Sequence, residues 1–293
     1  MIPMPLCQLQ DRALLRLSGP DTRNLLQGLL TQDVEVLAES RPLYAGLLSP
    51  QGKTLFQLFL FADGADVLLD VATADRAALE QNLIRFRLRK KVEIKAEDGL
   101  AMFQQWDEPS SPCPADPRTP LAGQRFPAPP GEVVSSFAPP GGAVSSLAPP
   151  GGAVLSSFAA WQQQRLSLGL PAADEIGHAD LLWLETNARE LNGVSFAKGC
   201  YTGQENTARM HHKDRLRKRL LPLRLPASTD TAADDADAET RVMAGEVEAG
   251  RLRGRRHDDL QMALLRVERL DQPLTVAGAA VTLLRPPWLD MHA

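Results

Sequence analysis

Apolar positions along the chain change their spacing in a way that separates strands from helices. Short apolar runs at 13–17 and 67–69 read as strands, while Leu25, Leu26, Leu29 and Leu30 recur at helical spacing after Ser18-Gly19-Pro20-Asp21, which offers a cap, a turn and an early proline. That helix is expected to end near Thr31-Gln32-Asp33. Apolar runs at 44–48 and 55–61 flank Ser49-Pro50-Gln51-Gly52-Lys53, a hairpin signal. Ala77, Leu79, Leu83, Ile84 and Leu88 mark a helix over 73–88 with Thr73 as its cap, and strands around 92–94 and 100–103 follow.

The texture changes between 107 and 157. A proline–glycine unit recurs from Pro129-Pro130-Gly131 through Pro139-Pro140-Gly141-Gly142 to Pro149-Pro150-Gly151-Gly152, and its small apolar patches cannot offset the entropy of ordering the chain. A flexible insertion is expected there, with no active role. Helical spacing resumes over 158–168 and stops at Gly169-Leu170-Pro171; 180–191 reads as helical or turn-rich, and a further helix is expected after Gly203, through 207–212. Beyond Leu216 the apolar segments 220–225, 241–247, 261–267 and 280–284 predict short strands of a small β-barrel or sandwich. The acidic run 230–239 reads as a solvated loop.

These elements predict an α+β fold in four parts: an N-terminal α+β domain over 1–106, the insertion over 107–157, a continuation of the α+β core over 158–215, and a C-terminal β-barrel over 216–293. A length of 293 residues allows two or three cores. The net charge of -4 gives no global field drawing the chain to nucleic acid or an acidic membrane, so partners must be argued from local patches. Cys7, Cys113 and Cys200 are few and far apart, without zinc-ligand spacing. Together with an N-terminus lacking a basic leader and the absence of a membrane-length apolar run, this predicts a cytoplasmic protein.

Chemistry concentrates in Lys198-Gly199-Cys200-Tyr201-Thr202-Gly203-Gln204-Glu205. Lys198 and a following helix N-terminus are features that lower a thiol pKa, so Cys200 is either a reactive thiolate or a buried structural cysteine. Gly199 and Gly203 are either close-approach glycines or ordinary turn residues. Gln204 and Glu205 can cap the helix or bond the edge of a heterocycle. Arg209, Lys213, Arg215, Arg217, Lys218 and Arg219 form a basic run against one acid, Asp214, able to hold phosphate, RNA or a polyglutamate tail, or simply to face solvent. His211 and His212 are adjacent on a helix and point apart, so the pair is not expected to ligate a metal.

Residues 191–197, Leu-Asn-Gly-Val-Ser-Phe-Ala, followed by the window above and by Ala208-Arg209-Met210, resemble the signature of YgfZ proteins, relatives of the glycine-cleavage T-protein, an aminomethyltransferase. Support extends to Ser18-Gly19-Pro20-Asp21, Leu25-Leu26-Gln27-Gly28-Leu29-Leu30-Thr31-Gln32-Asp33, Leu48-Ser49-Pro50-Gln51-Gly52-Lys53, and Arg165 with Leu168-Gly169-Leu170-Pro171. The resemblance implies a T-protein-like ring of antiparallel-sheet α+β domains with a C-terminal barrel around a folate-sized channel. It implies a folate-binding role in assembling or maintaining iron–sulfur clusters, with client proteins that include tRNA-thiolating enzymes. Cys200 is then the reactive group, and Lys198, Gly199, Tyr201, Thr202, Gly203, Gln204, Glu205, Arg209 and Arg165 are expected around tetrahydrofolate.

Two departures shape the expected activity. T-proteins carry acidic residues just after the glycine turn, one of them needed for aminomethyl transfer, whereas Gly52-Lys53 continues here as Thr54-Leu55-Phe56-Gln57. Ser167 stands where a pterin-contacting glutamate is expected. Aminomethyl transfer of T-protein type and direct tRNA binding through the basic run therefore stand as alternatives to the accessory role.

Overall fold

The computed structural model describes residues 4–106, 113–131, 153–213, 216–227, 229 and 240–289. Most of the proline–glycine repeat, the acidic run, Arg215 and the side chain of Lys213 lie outside the described residues. Two units make up the chain, one of Met1–Leu47, Phe56–Trp161 and Asn192–Tyr201, the other of Leu48–Leu55, Gln162–Leu191 and Thr202–Ala293.

In the first unit the elements run β1 (Met4–Gln8), β2 (Arg12–Ser18), α1 (Thr22–Gln27), β3 (Leu43–Leu48), β4 (Thr54–Asp63), β5 (Asp66–Ala72), α2 (Arg76–Arg87), β6 (Glu93–Glu97), β7 (Ala101–Gln105), β8 (Gln124–Ala128) and β9 (Ala153–Leu155). The expected hairpin and its neighbours form a five-stranded sheet in the order β3-β4-β5-β2-β6, and β8-β7-β1-β9 form a second sheet. The apolar runs in β3, β4 and β5 are continuous rather than alternating because both faces are covered, so Tyr44, Phe56, Leu58, Leu60 and Leu69 are all buried. Helix α2 packs on β2 and β6 through Leu79 and Leu83, α1 packs on β5, and β7 lies against β2.

Two expected caps do different work. Asp21 makes no side-chain cap to α1; its carboxylate accepts the Lys91 N–H at 2.7 Å and ties the helix entry to the segment between α2 and β6. Thr73 opens a 3-10 turn, Thr73–Asp75, with its N–H given to Asp11 O, so α2 starts three residues later than the spacing suggested.

A buried ionic centre joins the two sheets of this unit, with no local pattern along the chain to announce it. Asp70 on β5 is 0% exposed and accepts Arg12 Nε from β2 at 2.6 Å and Arg125 Nη2 from β8 at 2.5 Å. Asp116 pairs with Arg118 at 2.8 Å. The guanidinium carbons of Arg125, Arg118 and Arg12 lie 4.0, 4.9 and 5.4 Å from the Phe59 ring centroid, so the aromatic face shares in solvating three cations. Burial pushes the Asp116 carboxyl up, but the Arg118 guanidinium outweighs it and holds the group below the usual carboxylate range.

The second unit holds most of α3 (Phe158–Ser167), the short α4 (Ala173–Ile176), a 3-10 turn at Trp183–Thr186, and α5 (Gln204–Lys213). Its remaining strands are β10 (Lys218–Arg224), β11 (Arg241–Ala244), β12 (Val247–His257), β13 (Leu260–Arg266), β14 (Leu274–Val276) and β15 (Ala279–Leu283). They close into a barrel in the order β10-β13-β12-β11-β14-β15, with Leu221, Leu223, Val242, Met262 and Val276 buried. The strand expected over 241–247 is cut by Gly245 at φ +61, and the chain turns back into an eleven-residue strand, Val247–His257, for which no strand was expected beyond 247. Gly250 is required within that strand, because a Cβ there would stand 2.1 Å from Leu264 O.

Candidate functional site

The segment before the cysteine is held by α1 and the turn that follows it. Thr31 is fully buried, and its hydroxyl donates to Gly193 O at 2.6 Å while accepting the Gly46 N–H at 2.8 Å. Its carbonyl takes the Ser195 N–H at 3.0 Å, and Gln32 Nε2 donates to Asn192 O at 2.7 Å. Two stretches that both contributed to the family resemblance are thus physically paired in the first unit.

Lys198 completes this clamp. Its ammonium donates to Gln27 O at 2.8 Å, Leu30 O at 2.7 Å and Gln32 O at 2.8 Å, using all three donors on backbone carbonyls that α1 and its exit leave without helical partners. Burial pushes its pKa down to about 8, with Asp33 acting in the opposite direction. Nζ also lies 5.2 Å from the centroid of the Tyr201 ring. The sequence presented Lys198 as a cation beside the thiol; the structure gives it a holding role. Lys198→Met strips the carbonyls of their donor and is expected to cost about 3 kcal/mol, since one unsatisfied buried acceptor alone costs ~1–3 kcal/mol. Urea unfolding should show this loss, and amide exchange should quicken across 192–201.

Beyond the clamp the chain turns outward. Cys200 is exposed and in no disulfide, which removes the buried structural cysteine as a description of it. It lines a surface pocket of about 420 Å³ together with Gln27, Gly28, Phe86, Lys90 and Gly199. Cys7, by contrast, is buried and its thiol is pushed up to about 11, chiefly by burial and then by Asp11. Gly199 has no atom within 4 Å of where a Cβ would stand, so packing does not demand a glycine there.

The rest of the window belongs to the second unit. Gly203, at φ +80, begins the turn into α5, and a Cβ there would lie 2.4 Å from Ser49 O and 2.9 Å from Leu48 Cβ. Gly52, at φ +79, faces it, and Asn206 Nδ2 donates to Gln51 O at 3.1 Å. The Ser49–Lys53 turn and the start of α5 therefore fit backbone to backbone, which explains why glycine stands in both motifs. Thr202 and Gln204 are half-buried, and Glu205 is an exposed acid in the first turn of α5. Arg209 is exposed and donates to Asn206 Oδ1 at 2.9 Å.

Arg165 is not offered to solvent. It is 4% exposed, and its Nη1 donates to Glu175 Oε1 at 2.8 Å, Oε2 at 3.0 Å and Leu170 O at 3.1 Å. Burial pushes Glu175 up to about 7 against the pull of Arg165. In the basic run, Arg217 and Lys218 are exposed, but Arg219 donates to Glu190 at 2.7 Å and Asn187 at 3.1 Å. The side chains at 213 and 215 lie outside the described residues. Sequence reading left Phe86 and Lys90 out of the site, although the basic cluster 85–91 was its available signal.

Comparison with known proteins fixes the family. Residues 217–291 match the family described as CAF17, C-terminal beta-barrel domain. The mitochondrial iron–sulfur cluster assembly factor IBA57 of Mus musculus is 30% identical over 321 residues, covering 96% of this chain and 84% of the relative. The human protein of the same name is 31% identical over 317 residues, with the same two coverages. The chain belongs to the IBA57 family. Aminomethyltransferase T of the glycine cleavage system from Bartonella henselae superposes with a TM-score of 0.73 over 98% of this chain and 86% of its own, at 14% identity, which bears on fold alone. The T-protein-like α+β fold with its closed barrel is thereby established.

Two expectations change. The specific family is IBA57, where the central motif had suggested YgfZ. The cytoplasmic location is overturned, because the IBA57 relatives are named as mitochondrial. Scarce, unpaired cysteines fit any reducing compartment and do not single out the cytosol. No helix among the described residues is long and apolar enough to cross a membrane.

Proposed function

We propose that this chain acts in the assembly or maintenance of iron–sulfur clusters on client proteins, in mitochondria as its named relatives do, with Cys200 as the working group. The observation that carries the reading is the exposed thiol at the pocket, held out by a clamp of Thr31, Gln32 and Lys198. Thiolates are the usual protein ligands of these clusters, which take four of them. Three cysteines in the whole chain, one buried with a raised pKa, fall short of that number. A cluster handled at Cys200 is therefore shared with thiolates from the protein that gives or receives it.

Tetrahydrofolate was expected here by resemblance, and the residues carried over for it do not fit as a set. The half-buried Lys198 and the buried Arg165 already hold protein acceptors, and Ser167 offers no carboxylate for a pterin. No step is assigned to folate. Aminomethyl transfer loses its support in the same way, since Thr54-Leu55-Phe56-Gln57 brings no acid to the glycine turn.

Cys200→Ser tests the reading, because an exposed thiol can be exchanged for a hydroxyl with little change in stability. In cells that lack the native protein, this variant should fold and accumulate normally yet leave the activity of iron–sulfur-cluster enzymes near the level of the empty vector, roughly 10-fold or more below wild type. Full rescue by Cys200→Ser would remove the thiol from the function. Isothermal titration with tetrahydrofolate gives the second readout, in which no saturable heat is expected.

A further inference from the structure

The end of α2 violates the economy of the rest of the first unit. Leu79 and Leu83 bury one face of the helix, yet Ile84, Phe86 and Leu88 are 45%, 41% and 85% exposed. Scattered apolar residues on a surface are ordinary, but these three fall within five residues. Leu88 also ends the helix at φ +49 and ψ -114, a conformation suited to glycine. The free fold gains nothing from a leucine there: the side chain buries little surface and its Cβ disfavours the backbone it sits on.

Charge surrounds this apolar tip. Arg85, Arg87, Arg89, Lys90 and Lys91 stand within seven residues that include no acid, in a chain whose net charge is -4. Arg85, Arg89 and Lys91 are exposed. Arg87 donates to Val92 O at 3.2 Å, and Lys90 bonds the Asn24 side chain, so both are held in place. The Asp21 carboxylate, the nearest acid by contact, takes the Lys91 backbone N–H. Glu93, the next acid along the chain, pairs with Lys95 at 2.8 Å. Phe86 and Lys90 line the same pocket as Cys200, which joins the tip to the thiol.

We propose that Ile84 to Lys91 and the Cys200 pocket form one docking surface for an acidic protein that seats an apolar side chain against Phe86 and Leu88 and presents its own cysteines to Cys200. An apolar centre with arginines at its rim is the usual anatomy of a specific protein interface. Guanidinium groups match carboxylates bidentately, so the rim selects an acidic partner and sets its approach. The aliphatic Ile84 and Leu88 offer nothing to stacked bases, which favours a protein over RNA. This surface rests on the cluster-handling reading of Cys200, and it assigns the partner's chemistry and the face it uses.

A photoreactive phenylalanine analogue placed at Leu88 of the full chain in cells, with Val247 as an equally exposed control site on the barrel, tests the proposal. The expected adduct forms at 88 and not at 247, and contains a protein with carboxylates and cysteines on the crosslinked face. The purified partner should then bind wild type in a salt-sensitive manner, with affinity reduced about 10-fold or more by Leu88→Gly and by the double change Arg85→Glu with Arg89→Glu. Leu88→Gly relieves the backbone, so it should melt at or above the wild-type temperature, which separates lost docking from lost folding. An adduct with RNA, equal adducts at both sites, or unchanged affinity in both variants would overturn the docking surface. Cys200→Ser keeps the apolar tip and rim and should still bind. Loss of activity in Cys200→Ser with unchanged binding by Leu88→Gly sinks the surface alone, whereas full activity in Cys200→Ser sinks the thiol reading.

Discussion

Asp70→Ala is expected to remove most of the stability of the first unit. Arg12 and Arg125 would be left as buried guanidiniums with side-chain exposures of 6% and 3%, next to Arg118 and without the carboxylate that both of them contact. Breaking a buried ion pair by deleting one partner costs ~3–5 kcal/mol, and here one deletion strands two cations. Total stabilities are only ~5–15 kcal/mol, so the variant should lose half or more of its resistance to urea. Asp70→Asn keeps one acceptor and should fall between wild type and Asp70→Ala. Phe59→Leu removes the aromatic face under three guanidiniums and should cost less, because every ion pair survives. A urea midpoint for Asp70→Ala close to wild type would mean that water reaches these arginines and that the centre is not dry.

The same centre marks where reading the sequence stops. Asp70 sits inside an apolar strand and Arg125 inside Gln-Arg-Phe-Pro-Ala, and no spacing links residues that far apart; β7 of that sheet was legible, but β8 lies within 107–157, where a flexible insertion was expected, and the structure corrects that expectation over 113–131. The long strand β12 has no apolar run to announce it; Arg251, Arg253 and Arg255 alternate with the residues between them, the period of a barrel strand with one wet face. The hairpin at Ser49–Lys53 and helix α2 were legible because turn chemistry and helical spacing are local. At the site, the spelling around Cys200 located the thiol, but the role of Lys198 depends on three backbone carbonyls. Carbonyls have no signature in sequence, so a holding lysine reads like an activating one.

The two glycines that flank Cys200 in sequence should separate sharply when each is changed to alanine. At Gly203 a methyl group would stand 2.4 Å from Ser49 O and 2.9 Å from Leu48 Cβ, distances that force the Ser49–Lys53 turn and the start of α5 apart. The backbone at φ +80 adds about 1–2 kcal/mol for any residue with a Cβ. Overpacking adds a further ~1–3 kcal/mol, so Gly203→Ala should lose about 3 kcal/mol in total, and helix α5 should lose amide protection first. Gly199→Ala meets nothing within 4 Å and should stay within about 0.5 kcal/mol of wild type. That contrast gives Gly199→Ala a use which Gly203→Ala lacks. A stable protein with one methyl group added at the rim of the Cys200 pocket can lose cluster-dependent activity only if something other than this chain approaches the rim closely. We expect such a loss, read as enzyme activity in cells against equal protein levels. Full activity in Gly199→Ala would place the partner's contact at Phe86 and Lys90 rather than over the glycine.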